Sequence, residues 1–106
     1  MARGIFLVEA MPASSDRLDE FHAWYDDVHV PEILAFDGFV SARRFAPVEG
    51  SGPFVALYEI EADDLQAALD AFRAASRRGE TTRSDVVQTD PSPRVRLLAE
   101  ITRTDG

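Results

Sequence analysis

Two hydrophobic periodicities alternate along this chain of 106 residues, and their order limits the fold more than any single residue does. Gly4 to Ala10 is a short run rich in Ile, Leu and Val that reads as a strand. A turn, Met11-Pro12-Ala13-Ser14-Ser15-Asp16, supplies N-cap candidates, and a helix follows from about Asp16 to Val28. Its apolar stripe is Leu18, Phe21, Trp24, Tyr25 and Val28. Phe39 to Ala46 and Pro53 to Glu61 read as two strands joined by a Gly-rich hairpin loop. Asp63 is placed to cap a second helix with the stripe Leu65, Ala68, Leu69, Phe72 and Ala75. Residues 79–91 form a long polar loop, read as a lid or an arm, and Arg94 to Thr102 is the last strand. The order β-α-β-β-α-β is that of a ferredoxin-like α+β fold with an antiparallel sheet, in a single domain spanning residues 1–106.

The two faces of that sheet differ in a telling way. One set is nearly all apolar: Phe6, Val8 and Ala10, then Ala56, Tyr58 and Ile60, then Val95, Leu97, Ala99 and Ile101. Two helices on one side would cover it. The opposite set holds Ile5, Leu7 and Glu9, Val55, Leu57 and Glu59, and Leu98 between Arg96 and Glu100. That mixture is too apolar for a solvated face and too charged for a dry core, so the second face is expected to meet a copy of itself in a homodimer. A monomer with scattered surface Leu and Val residues is the simpler alternative.

Composition excludes several function classes. A formal charge of −8, with no basic run, argues against nucleic acid and anionic membranes as partners. The absence of cysteine removes disulfides, thiolate metal sites and thiol nucleophiles. All cations are Arg, so no side chain can form a Schiff base. Neither a signal-peptide core nor a membrane-length apolar run is visible, so a cytoplasmic location is the default expectation. No metal-ligand spacing, P-loop or Gly-x-Gly-x-x-Gly motif occurs, and neither a metal nor another cofactor is expected.

The chemistry-bearing residues crowd into Phe21 to Glu32, which holds both histidines, the single Trp and one of the two Tyr residues. Counting about 100° per residue from Leu18, His29 falls near 20° and His22 near 40°, so both flank the buried stripe. Tyr25 and His29 are an i, i+4 pair that can touch. Pro31 is expected to break the helix around His29–Val30, pushing Val30 towards extended geometry, with a second helical piece from Pro31 to Phe36. Beside that break, the amino end of the second piece would favour neutral imidazole, while Asp26 or Asp27 would favour the protonated form. Opposing pulls of this kind could hold His29 near the working pH, which suits a general acid–base, and the sequence leaves open which of them wins.

Each of these residues also has a plain structural role. A histidine at a helix boundary often satisfies loose backbone groups, and His22 reads best that way. Trp24, Tyr25 and Tyr58 are simplest as core aromatics, although their polar tips can line a cavity. Tyr58 shares the helix-facing set and is placed to face His29. Of the neighbours Arg43 and Arg44, one could hold an anionic ligand group, with ion pairing to Glu9 or Glu59 as the plainer role.

The helix Glu20 to Pro31, the stop Asp37-Gly38-Phe39 and the strand Ala56 to Ile60 resemble the dimeric α+β barrel superfamily. The likeness is closest to its small EthD-like proteins, whose first helix carries a Trp-Tyr…His-x-Pro signature followed by a Gly-Phe turn. The resemblance implies two ferredoxin-like protomers packed sheet to sheet, helices outside, with a ligand pocket between each protomer's helices and sheet. Relatives include muconolactone isomerases, polyketide cyclases and small quinone-forming or haem-degrading monooxygenases. The EthD-like histidine carries over to His29, with Trp24 and Tyr25 as neighbours. The resulting expectation is a cofactor-independent enzyme acting on a small hydrophobic or enolisable carbonyl compound. His29 would move the proton, Tyr25 or Tyr58 would hold the enolate, and Trp24, His22, Phe21, Val28 and Phe6 would line the ligand site. Stoichiometric binding of a small molecule without turnover is the alternative.

Overall fold

The computed structural model describes every residue from Met1 to Gly106. Strands β1 (Ala2–Ala10), β2 (Phe39–Phe45), β3 (Phe54–Ala62) and β4 (Arg94–Ala99) form one sheet in the order β2-β3-β1-β4, and every pairing is antiparallel. A 3-10 turn at Ser15–Arg17 leads into α1 (Leu18–Trp24), which passes through a π-helical turn (Tyr25–His29) into α2 (Val30–Leu34). Helix α3 (Leu65–Arg77) follows β3. This is the ferredoxin-like arrangement that the order of periodicities predicts. No helix is long and apolar enough to cross a membrane.

The core lies between the helices and one sheet face. Phe6, Val8, Ala10, Ala56, Tyr58 and Ile60 are all buried there against Phe21, Tyr25, Ile33, Leu69 and Phe72. Helix α3 presents its expected stripe, but its cap is Asp64, whose carboxylate accepts the Ala67 amide hydrogen at 3.0 Å, and not Asp63. An acceptor three residues ahead of its donor is the normal N-cap geometry, and Asp64 meets it. The helical layer covers β4 only in part, where Leu97 packs against the core. Val95 and Ala99 therefore remain exposed, and Ile101, beyond the end of the strand, is 95% exposed, contrary to their expected cover.

The first helix also departs from expectation. It does not break at His29–Val30: both residues have right-handed helical dihedrals, and Val30 is not extended. Instead the Val30 amide hydrogen reaches the Tyr25 carbonyl, five residues back. The ring of a proline collides with the carbonyl four residues earlier only in α geometry, and the wider π turn relieves that collision. Pro31 then follows directly after the π turn, at the start of α2.

The 79–91 segment is pinned and does not project as an arm. Val86 is buried, its carbonyl accepts from the Ala13 amide at 2.7 Å, and Pro12 and Val87 form an isolated β-bridge. Arg17 pairs with Asp85 at 2.9 Å, and both carboxylate oxygens of Glu32 accept from the Thr82 amide at 3.0 and 2.8 Å.

On the outer sheet face Ile5, Leu7, Val55, Leu57 and Leu98 are all half-buried. Arg3 pairs with Glu61 at 3.4 Å and Arg43 with Glu59 at 3.7 Å around a shallow depression of about 580 Å³.

Candidate functional site

The π turn creates the central contact of the site. In an α-helix residues five apart stand about 140° apart around the axis, so Trp24 and His29 would not meet. With a π turn between them their rings stack, centroids 4.4 Å apart and planes within 16°. Tyr25 meets the edge of the same imidazole at 5.2 Å and 89°, and Phe72 of α3 approaches it at 6.3 Å. Single π turns inside α-helices recur at functional sites, where the wider turn re-aims side chains. The rotation also separates the histidines, which a uniform helical count places on adjoining arcs.

Two polar atoms in this cluster are buried without a hydrogen-bond partner in the protein: the Nε1 of Trp24 and the hydroxyl of Tyr58. A buried polar group left unpaired costs about 1–3 kcal/mol, so each calls for a reason. Both groups donate, and the indole nitrogen can only donate. The complementary partner is an acceptor, such as a carbonyl, enolate or phenolate oxygen.

Tyr58 is fully buried and stacks on Phe6 at 5.9 Å. Burial pushes its phenol well above the ordinary range, and the adjoining Tyr25 adds to the rise. Burial likewise raises Tyr25. The neighbours of His29 are Trp24, Tyr25 and Phe72, so Tyr58 reaches His29 by way of Tyr25 and does not face it directly.

Burial lowers the His29 imidazolium to a pKa of about 4, against a smaller opposing pull from Glu32. The neutral form wins, and by desolvation. The amino end of a second helix plays no part because the helix is continuous. The carboxylate that opposes the fall is that of Glu32, not Asp26 or Asp27. His29 is therefore not held near neutral pH: at rest it is a proton acceptor or a neutral donor, not an imidazolium.

Arg44 supplies the charge here. A β-bulge between Phe39 and Ser41 reverses the alternation of β2, so Arg43 faces outward to Glu59 and Arg44 faces the helices. Its guanidinium donates to Asp26 at 3.0 Å and to Nδ1 of His22 at 2.9 Å, and it lies 4.8 Å over the ring of Tyr25. A guanidinium has no acceptor, so the second bond requires Nδ1 of His22 to be free of a proton. His22 also meets the ring of Phe54 edge-on at 4.9 Å. It thus belongs to a polar cluster beside the site, apart from His29.

Of the other lining candidates, Phe21 and Phe6 are buried within the wall, and Val28 is half-buried. Trp24 and His29, also half-buried, form the accessible part. Two depressions of about 580 and 290 Å³ are lined by other residues, and the aromatic cluster around His29 borders neither of them. No three His, Cys, Asp or Glu side chains converge as a metal site would need. Three participants escaped the sequence reading: Phe72, the Glu32 tether and the inward turn of Arg44. The alternation of β2 with its bulge was the one signal that could have revealed the last.

Comparison with known proteins yields a likeness of fold. No family model matches the chain, and no curated protein matches it. Among solved structures it is similar to a crystal structure of a putative monooxygenase from Shewanella loihica PV-4. The two share 14% identity, the match covers 98% of this chain and 99% of that one, and the TM-score is 0.61.

Proposed function

We propose that this chain is a cofactor-independent enzyme of the dimeric α+β barrel type, acting on a small hydrophobic, aromatic or enolisable carbonyl compound. The observation that carries the reading is the pair of buried, unpartnered donors, Trp24 Nε1 and Tyr58 Oη, in the aromatic cluster that holds a neutral His29. Donors kept dry and unpaired suit an oxygen on which negative charge develops.

In the proposed step the free imidazole nitrogen of His29 takes a proton from an acidic C–H or phenolic O–H of the ligand. The electron pair left behind moves onto the carbonyl oxygen, or stays on the phenol oxygen, and the hydroxyl of Tyr58 or Tyr25 donates to that oxygen. Return of the proton to another carbon gives isomerisation, and attack of the carbanion on a second carbonyl, whose oxygen takes up the proton, gives cyclisation. Addition of the carbanion to dioxygen, with the proton going to the peroxide, gives a hydroperoxide that loses its outer oxygen as water and leaves a new carbonyl, the monooxygenase type. The name of the structural neighbour favours that last branch. Trp24 and Val28 would shape the ligand site, with Phe21 and Phe6 behind them and His22 beside it.

The test uses 2-tetralone, an enolisable aromatic ketone, in deuterium oxide. Wild-type protein should accelerate exchange of its α-hydrogens over buffer, and His29→Gln should reduce that acceleration ~10²–10⁴-fold while the fold persists. Exchange unaffected by the substitution would remove His29 from the mechanism.

A second reading, stoichiometric binding without turnover, has one observation in its favour. An imidazole whose conjugate acid has a pKa of about 4 is a weak base. Tight binding of 2-tetralone with no exchange would select this reading.

The homodimer is part of the proposal. The outer face, half-buried and apolar between its ion pairs, suits a second copy packed sheet to sheet.

A further inference from the structure

We propose that Arg44 makes the site select its ligand as an anion, by holding a fixed positive charge against the face of Tyr25 and beside the two phenols. This rests on the ligand site proposed above and adds the charge state of what enters it.

The geometry is specific. The Arg44 side chain is only 17% exposed, whereas that of its carboxylate partner Asp26 is 59% exposed. Water therefore screens the negative end of the pair much more than the positive end, and the field on the core side is net positive. Three contacts fix the guanidinium: Asp26 at 3.0 Å, Nδ1 of His22 at 2.9 Å, and the ring of Tyr25 at 4.8 Å, with Phe21 at 5.7 Å beyond it. Two of its five N–H groups are committed to Asp26 and His22, so the cation acts through position and charge, not through a bidentate grip.

The groups around it are the carboxylate of Asp26, the imidazole of His22 and the phenols of Tyr25 and Tyr58. Arg44 opposes the rise that burial imposes on both phenols, so its field reaches both hydroxyls. With His29 neutral, Arg44 is the cation whose field reaches both phenols, while Arg73 lies over the ring of Phe6 at 5.8 Å. An enolate, phenolate or carboxylate oxygen accepting from Tyr25 or Tyr58 would lie in that field. A neutral ligand of the same shape would gain nothing from it. Arg44 is thus a specificity and positioning residue acting through Tyr25, and Asp26 tempers its effect.

The chain suits a direct test because its single Trp is in the site. The probes are 4-nitrophenol, whose visible absorbance distinguishes phenol from phenolate, and nitrobenzene, which cannot ionise. Quenching of Trp24 fluorescence reports binding of either. Wild-type protein should bind 4-nitrophenol as the phenolate, with its apparent pKa lowered by about one unit, a roughly tenfold preference for the anion. Arg44→Gln should abolish that preference and leave nitrobenzene binding intact, while Arg43→Gln on the outer face should change neither. Asp26→Asn supplies a test of opposite sign that does not depend on Arg44→Gln folding: removing the exposed carboxylate should strengthen the phenolate preference several-fold. Equal affinity for nitrobenzene and 4-nitrophenol, or an unchanged preference in both variants, overturns the anion selection alone. Failure of both probes to quench Trp24 overturns the ligand site and this inference together.

Discussion

Trp24 and His29 lie face to face, 4.4 Å between ring centroids, although they are five residues apart on one helix. Only the π turn between them allows this, and it makes the indole a built-in reporter of the imidazole. A protonated imidazole stacked on an indole quenches its emission. Trp24 fluorescence should therefore fall as pH drops, with a midpoint near the His29 pKa of about 4, and His29→Gln should remove that titration. A flat emission profile between pH 3 and 6 would show that the stack does not form.

The same depressed pKa sets the direction of a stability change. Between about 4 and the ordinary 6.5 the unfolded chain binds a proton at His29 that the folded chain does not. Stability therefore rises with pH across that window, and it is lost as pH falls from 6.5 towards 4. The total is roughly 3 kcal/mol, from a shift of about two and a half units. Chemical denaturation at pH 4.5 and 7 should show the loss in wild type and a smaller one in His29→Gln.

Tyr58→Phe separates stability from ligand binding. It deletes a buried hydroxyl that has no partner while keeping the ring stacked on Phe6. The free protein should become more stable by about 1–3 kcal/mol, read as a raised midpoint in urea. Binding of 2-tetralone or 4-nitrophenol should weaken in the same variant. A loss of stability would mean that the hydroxyl is satisfied in solution and is not held ready for a ligand.

The outer sheet face predicts its own disruption. Leu57 pairs with Leu7 across β3 and β1 on that face, and both are half-buried. Leu57→Glu should convert a dimer to monomer in sedimentation equilibrium while leaving the far-ultraviolet circular dichroism intact. A wild-type protein that sediments as a monomer at micromolar concentration would remove the dimer from the proposal.

The elements and their order were legible because each buries one face, and burial leaves a period of two or of 3.6 in the sequence. The stripe of α3 and the inward set of β1 and β3 followed directly. Failures came where a local rule met a tertiary one. Pro31 signals a broken helix, yet a π turn accommodates it without a break. Val95 and Ala99 carry the inward pattern, yet β4 is an edge strand that the helical layer covers only in part, at Leu97. The 79–91 segment is polar enough to read as an arm, yet two backbone bonds to the Met11–Ala13 turn and the Glu32 carboxylate hold it down.

The sequence by itself determined the ferredoxin-like architecture and the helix on which the candidate site is built, since both are recorded in residue spacing. Only the tertiary structure decided which groups meet there. The π turn brought Trp24 onto His29, and the β2 bulge turned Arg44 inward. Burial, which no single segment encodes, chose the neutral imidazole over its charged form. Contacts and desolvation depend on segments far apart in the chain, and no local pattern specifies them.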